Sequence, residues 1–141
     1  MRQVAIVPGT FCGMHADEMQ LFERFLSELH GDGVEIGCCD GFSTAHILAI
    51  TNLHLTSIDP FIPDSMVPTL LGSEERFRAN TAAFSDRCTL IKSTSEAEVG
   101  RWPRSLDFVY IDGDHTYEAA KHDVLEWQKH LRQGGFLAMH D

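Results

Sequence analysis

The sequence alternates short apolar runs with stretches of helical periodicity, five of each, between residues 15 and 139. The predicted strands span residues 34–36, 53–59, 88–92, 106–112 and 136–139, and the predicted helices span 15–29, 43–50, 73–84, 94–99 and 116–133. A helix between two strands makes a crossover, which keeps the strands parallel and is right-handed. We therefore predict an α/β fold: a doubly wound, Rossmann-like parallel sheet of five strands in the order 3-2-1-4-5, with helices on both faces.

A glycine-bounded turn, Gly37 to Gly41, follows the first predicted strand and leads into a helix. Gly37 permits a positive φ and a close approach of backbone, and Gly41 leaves room where the helix starts. Ser43 can cap this helix or donate to a carboxylate. Ligands of doubly wound folds bind at this turn, so it is the predicted binding site. The alternative is an ordinary βα turn that uses its glycines for geometry alone.

Acidic residues follow four of the predicted strands: Asp40, Asp59, Asp112 with Asp114, and Asp141. Because the carboxyl ends of parallel strands share one edge, we expect these carboxylates to converge there. Their mutual repulsion favours a cationic ligand. Asp59 comes 22 residues after Gly37, where a carboxylate can accept from both hydroxyls of a ribose. The alternative for Asp59 is a loop acid or a helix cap.

The turn itself discriminates between nucleotide ligands. A dinucleotide fingerprint needs a middle glycine, but Cys38, Cys39 and Asp40 stand between Gly37 and Gly41. Asp40 would also repel a diphosphate. The turn therefore favours a nucleoside that carries an amine and a carboxylate, and an NAD-type oxidoreductase is the less favoured alternative.

Composition narrows the classes of partner. The 141 residues suit one domain, and the net charge of −10 argues against nucleic acid or an anionic membrane as partner. No Cys-x-x-Cys pair occurs among the four cysteines, so we expect reduced thiols in a cytoplasmic protein. No apolar stretch approaches the ~20 residues of a membrane span.

Several segments together carry a resemblance to a known family. They are residues 35–37 and 41–44, 57–60, 77–80, 107–117, and 131–135 continuing to 140–141. In these segments the chain resembles the class I methyltransferases that use S-adenosylmethionine, and it is most similar to small-molecule O-methyltransferases of the catechol and macrolide-sugar kind. The resemblance implies transfer of a methyl group to a hydroxyl of a small-molecule acceptor, with S-adenosylmethionine as cofactor.

The resemblance also implies roles for individual residues. The turn with Gly37 and Gly41 and the side chains of Glu35 and Ser43 would hold the methionine end of the cofactor. Asp59 would hold the ribose, Ser93 and Thr94 would border the adenine, and Asp112 would face the amino group.

The implied catalytic residues are His115 and Asp112. His115 would take the proton of the acceptor hydroxyl, because an imidazole titrates near neutrality. In metal-dependent relatives Asp112 also faces a Mg²⁺ ion, and the implied metal ligands here are Asp112 and Asp141. His140 occupies the place of another oxygen ligand, and an imidazole is a poorer ligand for Mg²⁺. The alternatives are a strand-end His140 and a His115 held by Asp114 at a helix start.

The chain shows five strands where the family sheet has seven. We therefore expect a single domain over residues 1–141, with an N-terminal loop or lid over 1–14 and a truncated C-terminus. Strand five would keep an exposed edge, which favours a homo-oligomer through that edge. The alternative to a methyltransferase is a non-catalytic S-adenosylmethionine-binding module.

Overall fold

The computed structural model describes residues 4–140, in which five parallel strands form one sheet. The strands are β1 (His30–Ile36), β2 (Asn52–Ile58), β3 (Cys88–Ile91), β4 (Leu106–Ile111) and β5 (Leu131–Met139). They lie in the order β3-β2-β1-β4-β5, and all four pairings are parallel. The predicted strand order is therefore confirmed.

Helices cover both faces of this sheet, as predicted. They are α1 (Ala16–Leu26), α2 (Phe42–Ile50), α3 (Glu74–Thr81), α4 (Ser95–Val99) and α5 (Tyr117–Trp127), with 3₁₀ turns at Ala82–Phe84 and Gln128–His130. Two apolar clusters fill the layers. One joins α1 and α2 to the sheet through residues such as Leu26, Leu48 and Tyr110, and the other joins α4 and α5 through Val99, Val109 and Trp127.

The prediction that the first helix runs to residue 29 is wrong. The helix ends at Leu26, and β1 begins at His30 instead of residue 34, so residues 31–33 lie inside the strand. Asp107 of β4 accepts a hydrogen bond from the backbone N–H of Asp32 at 2.9 Å. Residues 31–33 therefore belong to β1 because they pair with the neighbouring strands of the sheet. Phe25 of α1 is 55% exposed.

The last helix and strand also differ from the prediction. The predicted helix 116–133 ends at Trp127, and β5 begins at Leu131 instead of residue 136. Leu131 pairs with Leu106, and the register then shifts so that Phe136 pairs with Phe108. From the first of these pairs to the second, β5 advances by five residues and β4 by two. Gly134 therefore lies in an irregular part of β5. Tyr117, the first residue of α5, is 72% exposed.

Two long segments without regular structure flank the carboxyl edge of the sheet. Residues 4–15 form neither helix nor strand, in agreement with the predicted loop over 1–14, of which residues 1–3 lie outside the description. Residues 59–73 form the second segment, and Ser73 then caps α3 by accepting from the N–H of Arg76 at 3.2 Å. Over residues 4–140 no helix has both the length and the apolar character needed to cross a bilayer.

Candidate functional site

The turn after β1 is the point where the strand ends come closest together. Gly37 has φ +78°, and a Cβ added there would lie 2.1 Å from the carbonyl oxygen of Asp112. The N–H of Asp112 in turn donates to Ile36 at 2.8 Å. Only glycine accommodates this conformation and this contact, so the predicted reason for Gly37 is confirmed. At Gly41 an added Cβ would lie 2.9 Å from the ring of Phe77, which confirms that the glycine leaves room there.

Asp59, at the end of β2, fastens this turn. Its Oδ2 atom accepts from the backbone N–H groups of Cys38 and Cys39, both at 2.9 Å. Its Oδ1 atom accepts from the N–H of Phe61 at 2.7 Å. Asp59 therefore links the turn, β2 and the segment that follows β2, in addition to facing the cavity described next.

A cavity of about 900 Å³ opens at the carboxyl edge of the sheet. Six of the predicted site residues line it: Gly37, Ser43, Asp59, Thr94, Asp112 and His115. The cavity is therefore where the doubly wound fold predicts its ligand crevice, and its volume lies toward the upper end of the usual range for ligand pockets.

The cavity wall is strongly acidic. Its lining residues in the described part of the chain include seven carboxylic acids and no lysine or arginine: Asp59, Asp64, Glu96, Asp112, Asp114, Glu118 and Asp123. A ligand rich in phosphate would meet repulsion here, and a ligand with positive charge would be attracted.

One of the converging acids was predicted wrongly. Asp40 is 2% exposed and does not line the cavity. Its carboxylate accepts from the N–H of Phe11 at 2.9 Å and of Ser73 at 2.8 Å, and it pairs with Arg76 at 3.3 Å. Asp40 therefore ties the two irregular segments to the turn. Asp59, Asp112 and Asp114 do line the cavity together, as predicted.

Glu35 lies behind the turn and is fully buried. Its carboxylate accepts hydrogen bonds from the hydroxyls of Ser43 at 2.5 Å and Ser57 at 2.7 Å, and from that of Thr44. Burial raises the pKa of Glu35 to about 7, although these three hydrogen bonds oppose the rise. Ser43 is thus a donor to a carboxylate, one of its two predicted roles.

Glu35, Gly41 and Ser93 are the predicted cofactor-binding residues that do not line the cavity. The side chain of Glu35 is fully buried, and Gly41 lies against Phe77 of α3. Direct contact between these three residues and a ligand stays a prediction.

His115 stands on the turn after β4 and is held by a residue from the segment after β2. Its Nδ1 atom lies 2.8 Å from Oδ2 of Asp64, and its backbone N–H donates to the same oxygen at 3.2 Å. Burial raises the pKa of Asp64, but the hydrogen bonds from His115 and from the N–H groups of Val67 and Met66 outweigh it, so the pKa is lowered. Asp64 is therefore a carboxylate, which only accepts, so the Nδ1 atom of His115 carries the proton in this contact. Asp114, on the turn after β4, also contacts the segment after β2, because its carboxylate accepts a hydrogen bond from the N–H of Ser65 at 3.1 Å.

His140, just after β5, bridges two carboxylates. Its Nε2 atom lies 3.1 Å from Glu18 of α1, and its Nδ1 atom lies 3.3 Å from Asp112. Asp112, His115 and His140 each offer one ligand atom, and these atoms lie within 4.8 Å of one another. Mg²⁺ prefers oxygen ligands, and two of these three donors are imidazoles. The described residues therefore do not fit Mg²⁺, and the predicted ligand Asp141 lies outside the described residues.

The predictions from sequence missed Asp64, Glu18 and Asp123. Asp64 lies in an irregular segment whose course no periodicity predicts, and Glu18 lies on a helix far along the chain from His140. Asp123 lies within the predicted helix 116–133 at helical spacing from the apolar residues Ala120 and Trp127, where a carboxylate is unusual. This spacing is the one signal that the sequence offered for the three residues.

A family model described as a methyltransferase domain matches residues 34–141. "Uncharacterized protein R132" of Acanthamoeba polyphaga mimivirus is 28% identical in an alignment of 117 residues, which covers 77% of this chain and 50% of that protein. The chain thus spans about half the length of the curated relative that it matches.

Solved structures share the fold at low sequence identity. The precorrin 8w decarboxylase of Methanobacterium thermoautotrophicum superimposes with a TM-score of 0.69 at 14% identity, over 96% of this chain and 68% of that one. The ribosomal protein L11 methylase of Lactobacillus delbrueckii subsp. bulgaricus gives a TM-score of 0.63 at 15% identity, over 95% of this chain and 64% of that one. At such identities the likeness supports the Rossmann-like fold alone.

Proposed function

Because the chain belongs to the methyltransferase-domain family, we propose that it transfers a methyl group from S-adenosylmethionine to a hydroxyl of a small molecule. The observation that carries this proposal is the cavity at the carboxyl edge, whose described lining holds seven acids and no basic side chain apart from histidines. S-adenosylmethionine brings a sulfonium and an ammonium group and no phosphate, so its charge suits this wall.

In this proposal the residues around the turn after β1 would hold the cofactor. Asp59 keeps acceptor capacity beyond its three backbone donors and takes the ribose hydroxyls, because a carboxylate has about four lone-pair sites. Gly37 and Ser43 border the methionine end, and Thr94 borders the adenine. Asp112 faces the positive end of the cofactor.

His115 acts as the general base. With its proton on Nδ1 and directed to Asp64, its Nε2 atom accepts the proton of the acceptor hydroxyl. S-adenosylmethionine, when bound, would supply the methyl group from its sulfonium, and the acceptor oxygen that has given its proton to His115 would take that group and leave a neutral thioether. The proton ends on His115, and positioning of the two reactants supplies much of the rate.

The choice of a small acceptor rests on size and charge. A cavity of about 900 Å³ leaves room for a second small molecule beside the cofactor. The net charge of −10 and the absence of basic side chains from the described lining disfavour nucleic acid.

Calorimetry with S-adenosylmethionine tests binding, and transfer of a labelled methyl group to a panel of small hydroxylated compounds tests turnover. Asp59→Ala should weaken cofactor binding at least ten-fold, and Asp112→Asn should lower turnover more than ten-fold, or about 1.4 kcal/mol of barrier. Asp86→Asn, an exposed aspartate outside the cavity lining, is the matched control and should change neither.

Two results would decide against the proposal. Tight binding of NAD without binding of S-adenosylmethionine would indicate an oxidoreductase. Binding of S-adenosylmethionine without transfer to any acceptor would indicate a non-catalytic binding module.

A further inference from the structure

Two histidines and one aspartate meet at the carboxyl edge of the sheet and form what we call the edge cluster. Asp112 and His115 lie on the turn after β4, and His140 follows β5. Their side chains are 19%, 25% and 12% exposed, and each offers one ligand atom within 4.8 Å of the other two. All three residues line the cavity, so an ion held by them keeps a coordination position open to it.

Each histidine of the edge cluster has one ring nitrogen at a carboxylate outside the cluster. Nδ1 of His115 lies 2.8 Å from Asp64, and Nε2 of His140 lies 3.1 Å from Glu18. A carboxylate only accepts, so the ring nitrogen in each contact carries the proton, and in a neutral ring the lone pair lies on the other nitrogen. Histidines that bind metal ions show this arrangement, in which an outer carboxylate fixes the ring and its tautomer.

The second nitrogen of His140 faces another acceptor. Its Nδ1 atom lies 3.3 Å from Oδ1 of Asp112. In a neutral ring that donates to Glu18, both of these atoms carry lone pairs, and they repel each other unless a proton or a metal ion lies between them. Two ligand atoms that are each about 2.1 Å from a tetrahedral ion lie roughly 3.4 Å apart, which is close to the observed separation.

We propose that Asp112, His115 and His140 bind one Zn²⁺ ion and select it over Mg²⁺. Two imidazoles and one carboxylate suit an ion of borderline softness such as Zn²⁺, whereas Mg²⁺ prefers oxygen ligands in an octahedral arrangement. Zinc sites with three protein ligands leave the fourth position open, here toward the cavity. The edge cluster thus differs in donor chemistry from the Mg²⁺ site that the family resemblance implies, although Asp112 belongs to both.

Bound Zn²⁺ opposes the proposed methyl transfer. The general base of that reaction is Nε2 of His115, and the ion takes the lone pair that would accept the proton of the acceptor hydroxyl. The ion also neutralises the charge of Asp112, which the proposed function places against the positive end of the cofactor. This consequence rests on the proposed function, whereas the metal site itself rests on the contacts of the edge cluster.

Calorimetry with the unmodified protein, freed of metal by a chelator, is the first test. We expect one Zn²⁺ ion per chain, bound at least a hundred-fold more tightly than Mg²⁺. His140→Ala removes one ligand and should weaken zinc binding at least ten-fold, whereas His54→Ala, at an exposed position of β2 outside the cavity lining, should leave it unchanged. Equal zinc affinities for the three proteins, or equal affinities for the two ions, would overturn the inference.

Nitrogen NMR of the unmodified protein with labelled histidine is the second test, and it does not depend on how a variant folds. Zn²⁺ should shift the Nε2 signal of His115 and the Nδ1 signal of His140, because these atoms become ligands, while the two outer nitrogens stay protonated. Shifts confined to other histidines would overturn the metal site. A His140 ring with protons on both nitrogens in the presence of Zn²⁺ would overturn it too, because such a ring satisfies Glu18 and Asp112 without an ion.

Transfer of a labelled methyl group in the presence of Zn²⁺ tests the consequence for the reaction. Saturating Zn²⁺ should lower turnover at least ten-fold, excess chelator should restore it, and Mg²⁺ at the same concentration should not change it. Full turnover with Zn²⁺ bound would overturn the competition at His115 and leave the proposed function intact. Absence of turnover with and without metal would overturn the proposed function, and calorimetry and NMR would still decide the metal site.

Discussion

Glu35 is the residue whose environment departs most from what its place in the sequence suggests. This glutamate, next to the glycine turn and expected to hold the methionine end of the cofactor, has its side chain fully buried among three hydroxyls. The pKa of about 7 means that folded Glu35 keeps its proton between pH 4.5 and 7, where the unfolded chain has released it. The stability that it contributes is therefore present at low pH and lost as pH rises through 7.

Replacing Glu35 by Gln removes this titration. Between pH 4.5 and 7.5 the unfolding free energy of the unmodified protein, relative to that of Glu35→Gln, should fall by about 3 kcal/mol. Urea unfolding at a series of pH values measures it. Glu75→Gln, at an exposed position of α3, is the control and should follow the unmodified protein. Parallel profiles for Glu35→Gln would show that Glu35 ionises normally in the folded state.

The pairing of Asp64 with His115 makes a prediction about one proton. The carboxylate holds the proton of the neutral ring on Nδ1, whereas a free imidazole in water favours the proton on Nε2. In Asp64→Ala the ring should change to the Nε2–H form, and long-range nitrogen NMR spectra of labelled histidine measure this directly. Asp64→Asn can still accept from Nδ1 and should keep the original form. An unchanged tautomer in Asp64→Ala would show that Asp64 does not determine which ring nitrogen of His115 carries the proton.

At the scale of elements, the turn between β1 and α2 is held by three strands at once. Gly37 donates to Ile58 of β2 at 2.9 Å, and its Cα faces the backbone of Asp112 after β4. The carboxylate of Asp59 then fixes Cys38 and Cys39. The turn is therefore rigid before any ligand arrives, which lowers the entropic cost of binding there.

Gly37→Ala should damage this element far more than the same change at Gly134. Both glycines have positive φ, but a Cβ at Gly37 meets the backbone of Asp112 at 2.1 Å, and a Cβ at Gly134 meets nothing within 4 Å. We expect Gly134→Ala to cost about 1 kcal/mol and Gly37→Ala more than about 3 kcal/mol of unfolding free energy. Chemical denaturation measures both. Similar losses at the two sites would mean that β1 and β4 can separate at little cost.

At the scale of the whole molecule, β5 forms one border of the sheet. Among residues 4–140 its outer edge has no strand partner, and Phe136 and Met139 on this strand are 42% and 45% exposed. An edge strand with apolar side chains pairs readily with another chain. We propose self-association through this edge, as the strand pattern predicts.

The double variant Phe136→Lys and Met139→Lys should keep the protein monomeric at concentrations where the unmodified chain associates. Light scattering after size exclusion measures the mass. Leu21→Lys, at a 52% exposed position of α1, is the control and should associate like the unmodified chain. Equal masses for all three proteins at every concentration would exclude association through β5.

The sequence alone determined the layered α/β architecture, the strand order and the place of the glycine turn at the carboxyl edge of the sheet. These follow from local patterns: apolar runs, helical periodicity and glycines that permit one backbone conformation. The convergence of Asp59, Asp112 and Asp114 followed as well, because parallel strands present their carboxyl ends at one edge.

Only the tertiary structure decided where the remaining polar side chains point. Asp40 turned to the backbone of residues 11 and 73, Glu35 to three hydroxyls, and Asp64 to His115, 51 positions away. Each of these choices depends on a partner that is brought close by folding and not by neighbouring sequence. A buried carboxylate hydrogen-bonds to the donors that folding brings near it. A local sequence pattern does not show which donors those are, because they lie far away in the chain.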